Sequence, residues 1–272
     1  MPELPEVETV ANGVNARVCG QRIDSVWLGR HKEPFKTSRA EMADTLPGLR
    51  IERVYREGKH IVFDLKKNQT ELQWVVHLGM TGRLLISAEA VPAPDHTHAV
   101  LGLSGGRELR FVDARRFGRL ALYKVTDGAG FQGPGREPLS ILPEDFVALF
   151  RGRKLSIKAA LLNQALLHGV GNIYADESLF RAGIRPTSVA GRLSGARLLR
   201  LHGALQEILR KAIELGGSSV SDYVDADGVA GFFQLEHRVY MRTGQPCLVC
   251  GRPIHRMVLA GRGTHFCLHC QR

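Results

Sequence analysis

The sequence predicts an α+β chain of several domains, with a β-rich N-terminal part, a helical middle and a small cysteine module at the C-terminus. Its 272 residues exceed the length of one typical domain. Hydrophobic residues make up 44% and charged residues 24%, so a buried core is feasible. β-rich runs fill the first half, helical periodicity fills most of the second, and paired cysteines end the chain. These observations divide it into residues 1–130, a linker 131–143, a helical domain 144–236 and a cysteine module 237–272.

The first domain is predicted to begin with a helix. Glu3 to Val18 carries apolar residues at the spacing of one helix face. From Ile23 to about Tyr123, short β-rich runs alternate with Gly, Asn and Pro, as in an antiparallel sandwich or barrel. These runs are residues 50–55, 60–65, 72–77, 84–86 and 108–112.

The second half is predicted to be helical. The segment from Gly128 to Pro143 holds four glycines and three prolines, which indicates a linker. Ser156 can cap a helix through Leu167, and a second helix is expected from Asn172 to about Ala182. Ser194 can cap a longer helix that ends at Leu215. Ser218–Gln234 is rich in Gly, Ser and Asp and is predicted to be a mobile loop.

The charge of the chain favours a polyanionic partner. Lys and Arg exceed Asp and Glu by 37 to 27, which gives a net charge of +10. Each Lys or Arg placed on a phosphate releases condensed counterions. A basic soluble protein without such a partner would have the same composition. The sequence has no apolar stretch near the roughly 20 residues that span a bilayer, and no signal peptide at its start, so we expect a cytosolic protein.

Four of the five cysteines form two C-x-x-C pairs separated by 16 residues. In a reducing compartment, such pairs indicate a zinc site rather than disulfides. Four thiolates leave no coordination position open, so we expect one structural zinc ion. His255, His265 and His269 are competing ligands. The expected ligands are Cys247, Cys250, Cys267 and Cys270.

The fifth cysteine and one arginine of the cysteine module also have predicted positions. Cys19 stands alone on the first helix, where a small core residue is the expected role. Arg262 is expected at the tip of a β-hairpin in the cysteine module, because Gly261 and Gly263 flank it. A rigid tip can present a guanidinium to phosphate, although an ordinary surface arginine fits as well.

Pro2 is a candidate nucleophile. Removal of Met1 would expose a secondary amine, and α-amines have pKa values near 8, so part of the population is unprotonated at neutral pH. The start of a helix lowers that pKa further. A secondary amine can attack a sugar carbon and form an iminium, and Glu3 could exchange protons beside it. Taken alone, Pro2 and Glu3 are better explained by ordinary helix-start chemistry, since proline and acidic residues are favoured in the first turn.

Five motifs in order along the whole chain resemble the formamidopyrimidine-DNA glycosylases (Fpg/MutM) of the Fpg/Nei family. They are the N-terminal MPELPEVET, HLGMTG at residues 77–82, DARRFG at 113–118, GVGNIYA at 169–175 and the cysteine ribbon with AGRGT at 260–264. The resemblance implies a β-sandwich N-terminal domain, a helix–two-turns–helix domain and a zinc ribbon, with DNA as the partner.

The resemblance also implies the catalytic residues. Pro2 would attack the sugar C1′, with Glu3 as the accompanying acid and base. Lys59 matches the catalytic lysine of the family at a β-turn, where a solvated turn lysine is the alternative. Arg262 would donate a proton in the last elimination step.

Further matches imply DNA contacts. Met80, Arg115 and Phe117 match residues that fill the gap left by an extruded nucleotide, although Met80 and Phe117 would otherwise be read as core. Arg115 is chosen over Arg116 by its place in the motif. The Ser218–Gln234 loop would close over the flipped base. The matches to phosphate-holding positions are His96, with His98 as a second candidate, Lys154, Lys158 and Asn172.

The implied function is that of a bifunctional DNA glycosylase and AP lyase acting on 8-oxoguanine and formamidopyrimidines by β,δ-elimination. We expect a monomer in the bacterial cytoplasm, associated with the nucleoid, with one structural zinc ion. One alternative is a Nei-like glycosylase for oxidised pyrimidines, against which Leu4 and Pro5 argue. The other is a zinc-ribbon protein that binds damaged DNA without cutting it.

Overall fold

The structure is a computed structural model that describes residues 1–126, 128–219 and 223–272. The chain forms two compact units. Unit 1 comprises Met1–Gly133 and Gly216–Gly231, and unit 2 comprises Pro134–Leu215 and Phe232–Arg272. Within the described ranges, no helix has both the length and the apolar character needed to cross a membrane.

Unit 1 begins with helix α1 (Leu4–Val18). Glu3 precedes it in an extended conformation, and its backbone N–H donates to Glu6 Oε2 at 2.8 Å. The prediction of an amphipathic first helix is confirmed, since each residue of its apolar face is at most 1% exposed. These residues are Leu4, Val7, Val10, Ala11, Val14 and Val18.

Two antiparallel sheets follow, and their strands extend the predicted β-runs. The first sheet has the order β1-β6-β7-β5 and the second the order β2-β3-β4-β8. One hydrophobic cluster contains side chains from α1 and from both sheets, such as Val10, Phe63 and Phe111, so unit 1 is a β-sandwich. The elements are β1 (Ile23–Leu28), α2 (Arg39–Thr45), β2 (Arg50–Glu57), β3 (His60–Lys67), β4 (Thr70–His77), β5 (Arg83–Ala88), β6 (Thr97–Leu103), β7 (Arg107–Val112) and β8 (Arg119–Lys124).

The expectation that Cys19 packs in the core is wrong, because its side chain is exposed. Helix α1 ends at Val18, and the backbone of Cys19 is extended, with ψ of 133°. This turn directs the residue away from the buried face of the helix. The thiol donates instead to Glu52 O at 3.1 Å.

Unit 2 contains helices and a hairpin. Two serines cap helices as predicted: Ser156 Oγ accepts from Ala159 N at 3.3 Å, and Ser194 Oγ from Arg197 N at 3.4 Å. The elements are α3 (Pro143–Phe150), α4 (Ile157–Leu161), α5 (Asn172–Arg181), a 3₁₀ turn (Ala190–Arg192), α6 (Gly195–Glu214), a second 3₁₀ turn (Phe233–Glu236), β9 (His255–Leu259) and β10 (Arg262–Phe266).

Helix α4 ends at Leu161, six residues before the predicted end at Leu167. Asn163 Oδ1 accepts from Ala165 N at 3.0 Å, and the Gln164 amide donates to Val170 O at 2.9 Å. Such side-chain bonds satisfy backbone groups that a continuing helix would otherwise use, which ends the helix early.

The units differ from the predicted domain boundaries in two places. Residues 216–231 belong to unit 1, whereas the prediction placed them in the helical domain. The cysteine module belongs to the same unit as the helices. One reason is the buried Glu177 on α5, whose carboxylate accepts the backbone N–H groups of residues 238, 239 and 240 at 2.8–2.9 Å.

The register of unit 1 places His60 opposite His77 and His77 opposite Arg119. The two imidazole rings lie 4.9 Å apart. Burial, and then the charges of His60, Lys59 and Arg119, lower the pKa of His77 to about 4. The imidazole of His77 is therefore neutral at pH 7.

We expect His77 to make unit 1 less stable in acid. Its pKa is about 4 when folded and 6.5 ordinarily, so the unfolded chain binds the proton more tightly. This contribution to stability is complete above pH 6.5 and is lost as the pH falls toward 4. About 2 kcal/mol should disappear between pH 7 and pH 5, and His77→Gln should remove that change.

Urea unfolding followed by tryptophan fluorescence measures this effect, since Trp27 and Trp74 both lie in unit 1. The exposed His96 provides a control, and His96→Gln should keep the wild-type pH dependence. An unchanged pH dependence in His77→Gln would contradict the assignment.

Candidate active site and metal centre

The start of α1 presents the candidate nucleophile. Pro2 is buried and Glu3 is 4% exposed, whereas Met1 is 45% exposed. Removal of Met1 would therefore leave the core intact. It would place a secondary amine two residues before the first residue of α1, where the helix dipole contributes a positive potential.

Glu6 joins this helix start to residues 216–231, which we call the returning segment because the chain there returns to unit 1. Besides the bond from Glu3 N, its Oε1 accepts from Ser218 N at 2.8 Å. Tyr223 is buried, and its hydroxyl donates to Gly216 O at 3.1 Å. The predicted closing loop thus has both described flanks fixed beside α1, while its residues 220–222 lie outside the described residues.

Lys59 lies in the turn of the β2–β3 hairpin, as predicted, after Gly58 with φ of 61°. It is half-buried, and its charge contributes to the low pKa of His77. His77 was recognised only as part of a motif. Its Nδ1 accepts from Gly79 N at 3.1 Å, so the neutral ring carries its hydrogen on Nε2. His77 therefore offers a second hydrogen-bond donor near Lys59.

Asp113 joins the two loops that carry the predicted intercalating residues. It is fully buried, and its Oδ1 accepts from Thr81 Oγ1 at 2.6 Å and from Arg115 N at 3.3 Å. Its Oδ2 accepts from Gly118 N at 2.7 Å. At Gly79, φ is 64° and a Cβ would lie 2.5 Å from the Phe117 carbonyl carbon, so only glycine permits this approach.

Three predicted residues lie on these loops. Met80 is 40% exposed and Phe117 is 47% exposed, which excludes core packing for both. The Arg115 guanidinium carbon lies 4.9 Å from the Phe117 ring centroid. Arg116 instead donates to Glu33 Oε1 and contacts His31 Nδ1, at 3.1 and 3.0 Å. This geometry supports Arg115 over Arg116 as the residue presented to DNA.

Of the two histidine candidates, His96 is exposed and His98 is 3% exposed. His96 has φ of 64°, which is uncommon for a residue other than glycine. His98 Nε2 lies 2.9 Å from Asp113 O. The exposed imidazole of His96 is therefore the better placed of the two to meet a phosphate.

The four paired cysteines converge in unit 2. Their sulfur atoms all lie within 4.8 Å of one another, with Cys247 Sγ 3.8 Å from Cys270 Sγ and Cys250 Sγ 3.5 Å from Cys267 Sγ. Four sulfurs at about 2.3 Å from a tetrahedral zinc ion are about 3.8 Å apart, so the residues fit zinc. Among the described residues, no histidine joins this cluster. It is a structural zinc site with four cysteine ligands.

Arg262 lies just after the tip of the β9–β10 hairpin and is exposed. The tip residues Ala260 and Gly261 have φ of 51° and 72°, as a tight two-residue hairpin turn requires. Lys154 is also exposed, in the connection between α3 and α4.

Lys158 does not have the exposed side chain that its predicted contact with a phosphate requires. It is fully buried and forms an ion pair of 2.6 Å with Asp176, which is also fully buried. Its Nζ also donates to Gly263 O at 3.0 Å and Thr264 Oγ1 at 2.9 Å. Asn172 donates from Nδ2 to the same Gly263 carbonyl at 2.9 Å. Both side chains thus hold the strand next to Arg262 in place.

We expect Lys154 and Lys158 to differ in the salt dependence of DNA binding. Lys154→Met should reduce the log–log slope by about 0.9, the value for one phosphate contact. Lys158→Met should leave the slope unchanged but destabilise unit 2 by roughly 3–5 kcal/mol, because Asp176 remains buried and uncompensated.

Replacing both partners keeps this comparison possible if the single variant unfolds. Lys158→Met combined with Asp176→Leu should regain part of the stability, since the buried pair is exchanged for apolar groups while His265 N loses its acceptor. Affinity for one duplex is measured at several salt concentrations. An equal loss of slope in the Lys154 and Lys158 variants would show that Lys158 does contact phosphate.

Comparison with known families covers most of the chain with three family models. Residues 1–120 match the family described as formamidopyrimidine-DNA glycosylase N-terminal domain. Residues 135–224 match the formamidopyrimidine-DNA glycosylase H2TH domain. Residues 244–272 match a zinc finger found in FPG and IleRS.

Individual relatives agree with these matches. The chain is 45% identical over 272 residues to a formamidopyrimidine-DNA glycosylase of Solibacter usitatus, and 100% of each chain is covered. The crystal structure of MutM (Fpg) from Thermus thermophilus has a TM-score of 0.84 at 41% identity and covers 99% of this chain and 98% of its own. A Lactococcus lactis Fpg variant in complex with Fapy-dG containing DNA has a TM-score of 0.89 at 33% identity, with 100% of both chains covered. This protein belongs to the formamidopyrimidine-DNA glycosylase family.

Proposed function

We propose that this chain is a DNA glycosylase and AP lyase that removes 8-oxoguanine and formamidopyrimidines in base excision repair. Family membership supports the glycosylase class, and the related Lactococcus lactis protein is bound to Fapy-dG containing DNA. The observation that carries the strand-cutting chemistry is the buried Pro2 and Glu3 at the start of α1, preceded by an exposed Met1.

The first stage uses the amine of Pro2 after loss of Met1. Its lone pair attacks the sugar C1′, the bond from C1′ to the damaged base breaks, and the base leaves with a proton. Opening of the sugar ring then gives an iminium between Pro2 N and C1′. Glu3, held at the same helix start, exchanges the proton that the ring oxygen needs. The Lys59 ammonium stabilises negative charge that develops at the site.

The second stage cuts the strand on both sides. The iminium acidifies the C2′ hydrogen, and loss of that proton forms a double bond as the C3′–O bond breaks. A further proton loss from C4′ breaks the C5′–O bond. We assign Arg262 to this last step as the donor to the departing phosphate, because it lies exposed beside a tight hairpin tip.

The base must leave the duplex before any of these steps. Extrusion costs a few kcal/mol, which side chains that fill the gap can offset. We assign this role to Met80 and Phe117, whose exposed apolar surfaces lie on the two loops joined by Asp113. Arg115 would hydrogen-bond the orphaned base. Such an enzyme would act on the DNA of the bacterial nucleoid.

We expect strand cleavage to require a free Pro2 amine. Borohydride should trap a covalent complex between DNA and the protein that has lost Met1. A protein with Met1 retained, or Pro2→Gly, should lose most of this complex. Pro5→Ala is a matched control, because it changes a buried proline of the same helix start without touching the amine. Equal trapping by the Met1-blocked protein would exclude Pro2 as the nucleophile.

We expect excision of 8-oxoguanine to be efficient opposite cytosine and poor opposite adenine. A guanidinium has donors only. Arg115 therefore suits cytosine, whose Watson–Crick edge presents the two acceptors N3 and O2, better than adenine, whose edge presents only N1. Single-turnover rates on duplexes that differ only in lesion and opposite base measure this preference, and Arg115→Ala should narrow it. Faster removal of oxidised pyrimidines than of 8-oxoguanine would favour a Nei-like enzyme.

A further inference from the structure

Unit 1 contains a basic cavity of about 710 Å³ at the end of β1. Three arginines and three histidines line it, and none of the described lining residues is acidic. The volume is large enough for a phosphate group and part of a sugar. The basic lining residues are Arg30, His31, Arg39, His96, His98 and Arg116.

The arginines of this cavity have more N–H donors than the surrounding protein groups accept. Arg39 donates to Gly29 O at 2.9 Å, and Arg116 donates to Glu33 Oε1 at 3.1 Å. Each guanidinium carries five N–H donors, so these contacts leave most of the donors available. The pKa of Glu33 is lowered by its own backbone N–H and then by the charges of Arg116 and His31. The field in the cavity therefore favours an anion.

Two features of the wall next to Asp113 are unusual for a purely structural surface. His98 is 3% exposed, and its Nδ1 is buried without a hydrogen-bond partner among the described groups. Because Nε2 donates to Asp113 O, Nδ1 would donate to an anion only in the protonated ring, so the phosphate contacts are assigned to the arginines. A buried polar atom without a partner is costly. His96 keeps a left-handed backbone, with φ of 64°. Unpaired buried atoms and strained backbones concentrate at binding sites.

An aromatic ring lines the same cavity. Trp27 is 54% exposed, although a side chain of this size is usually largely buried. Its ring lies over Gly29, where a Cβ would stand 3.5 Å from Trp27 Cη2 and 3.4 Å from His98 O. Proteins that bind single-stranded nucleic acid place aromatic rings beside clustered cations to hold a base and its phosphate. Beside a duplex, whose bases are stacked, the indole would pack against a deoxyribose.

We propose that this cavity binds a backbone phosphate of DNA through Arg30 and Arg39, with the Trp27 indole packed against the adjoining nucleotide. The inference rests on the proposed function, because an enzyme that extrudes a base must hold the undamaged duplex beside it. It adds contacts made by residues outside the motifs that identified the active site.

The test uses an undamaged duplex, so that it does not depend on excision. Arg30→Gln combined with Arg39→Gln should weaken binding severalfold and reduce the slope of log affinity against log salt by about 0.9, for one lost phosphate contact. Arg22→Gln combined with Arg50→Gln is the matched control, since it removes two exposed arginines of the same unit outside the cavity. The control should keep the wild-type slope.

Arg30→Gln alone should also reduce the slope, which keeps the test valid if loss of the bond from Arg39 to Gly29 disturbs the fold. Equal changes of slope in the cavity and control variants would overturn the proposal, since net charge would then be sufficient. A wild-type protein that binds the undamaged duplex but cuts no lesion would refute the proposed function, whereas the comparison of slopes would still decide whether the cavity contacts a DNA phosphate.

Fluorescence tests the position of the nucleotide. Trp74 is 1% exposed, so a change of emission on duplex binding should come from Trp27 and be absent in Trp27→Phe. Retention of the full change in Trp27→Phe would overturn the packing role of the indole. Titration with 5′-dAMP separates the sources of phosphate. If the change in Trp27 emission saturates at lower concentrations of dAMP than of the duplex, the cavity is a free-nucleotide site and its assignment to DNA is overturned.

Discussion

The candidate active site depends on the hydrogen bonds that the carboxylate of Glu6 accepts. Glu6 is 2% exposed and accepts backbone N–H groups from Glu3 and from Ser218, the latter 212 residues away along the chain. A buried carboxylate is tolerated only when hydrogen bonds replace its hydration. The first turn of α1 supplies a favourable potential as well. The start of α1 and the returning segment of unit 1 are therefore held by one group, and Pro2 lies within this fixed region.

A second buried carboxylate organises the exposed side chains of unit 1. Asp113 accepts from Thr81, Arg115 and Gly118, so the loops after β4 and β7 are held together from beneath. Exposed apolar residues on a free loop would be mobile and would tend to collapse onto the surface. Because their backbones are fixed by Asp113, Met80 and Phe117 can remain exposed. The basic cavity lies on the other side of the same turn, where Asp113 O meets His98.

Unit 2 depends on a buried ion pair and on zinc. The desolvation of Lys158 and Asp176 is expensive, and such pairs are weak evidence for added stability. In this protein, Lys158 and Asp176 hold neighbouring elements in position. Lys158 and Asn172 both donate to Gly263 O, while Asp176 accepts from His265 N at 2.8 Å. The strand after Arg262 is thereby fixed to the helices, and the zinc site fixes the opposite end of the hairpin.

The sequence by itself determined the fold class, the zinc ligands and the places of the motif residues. Periodicity fixed α1, because helical spacing alone decides which of its side chains are buried. The C-x-x-C spacing fixed the metal site, because four thiolates at that spacing have few other uses. Serine caps located the starts of α4 and α6, since capping is a local interaction.

Only the tertiary structure decided what depends on distant partners. Lys158 has the sequence context of a phosphate contact, yet Asp176, Gly263 and Thr264 surround its ammonium. Residues 216–231 follow a helix of unit 2 but belong to unit 1, because Glu6 binds Ser218. The contacts of Arg116 with Glu33 and His31 likewise join residues more than 80 positions apart. The burial and pairing of a charged side chain depend on residues that are far apart in the chain, so short sequence motifs cannot predict them.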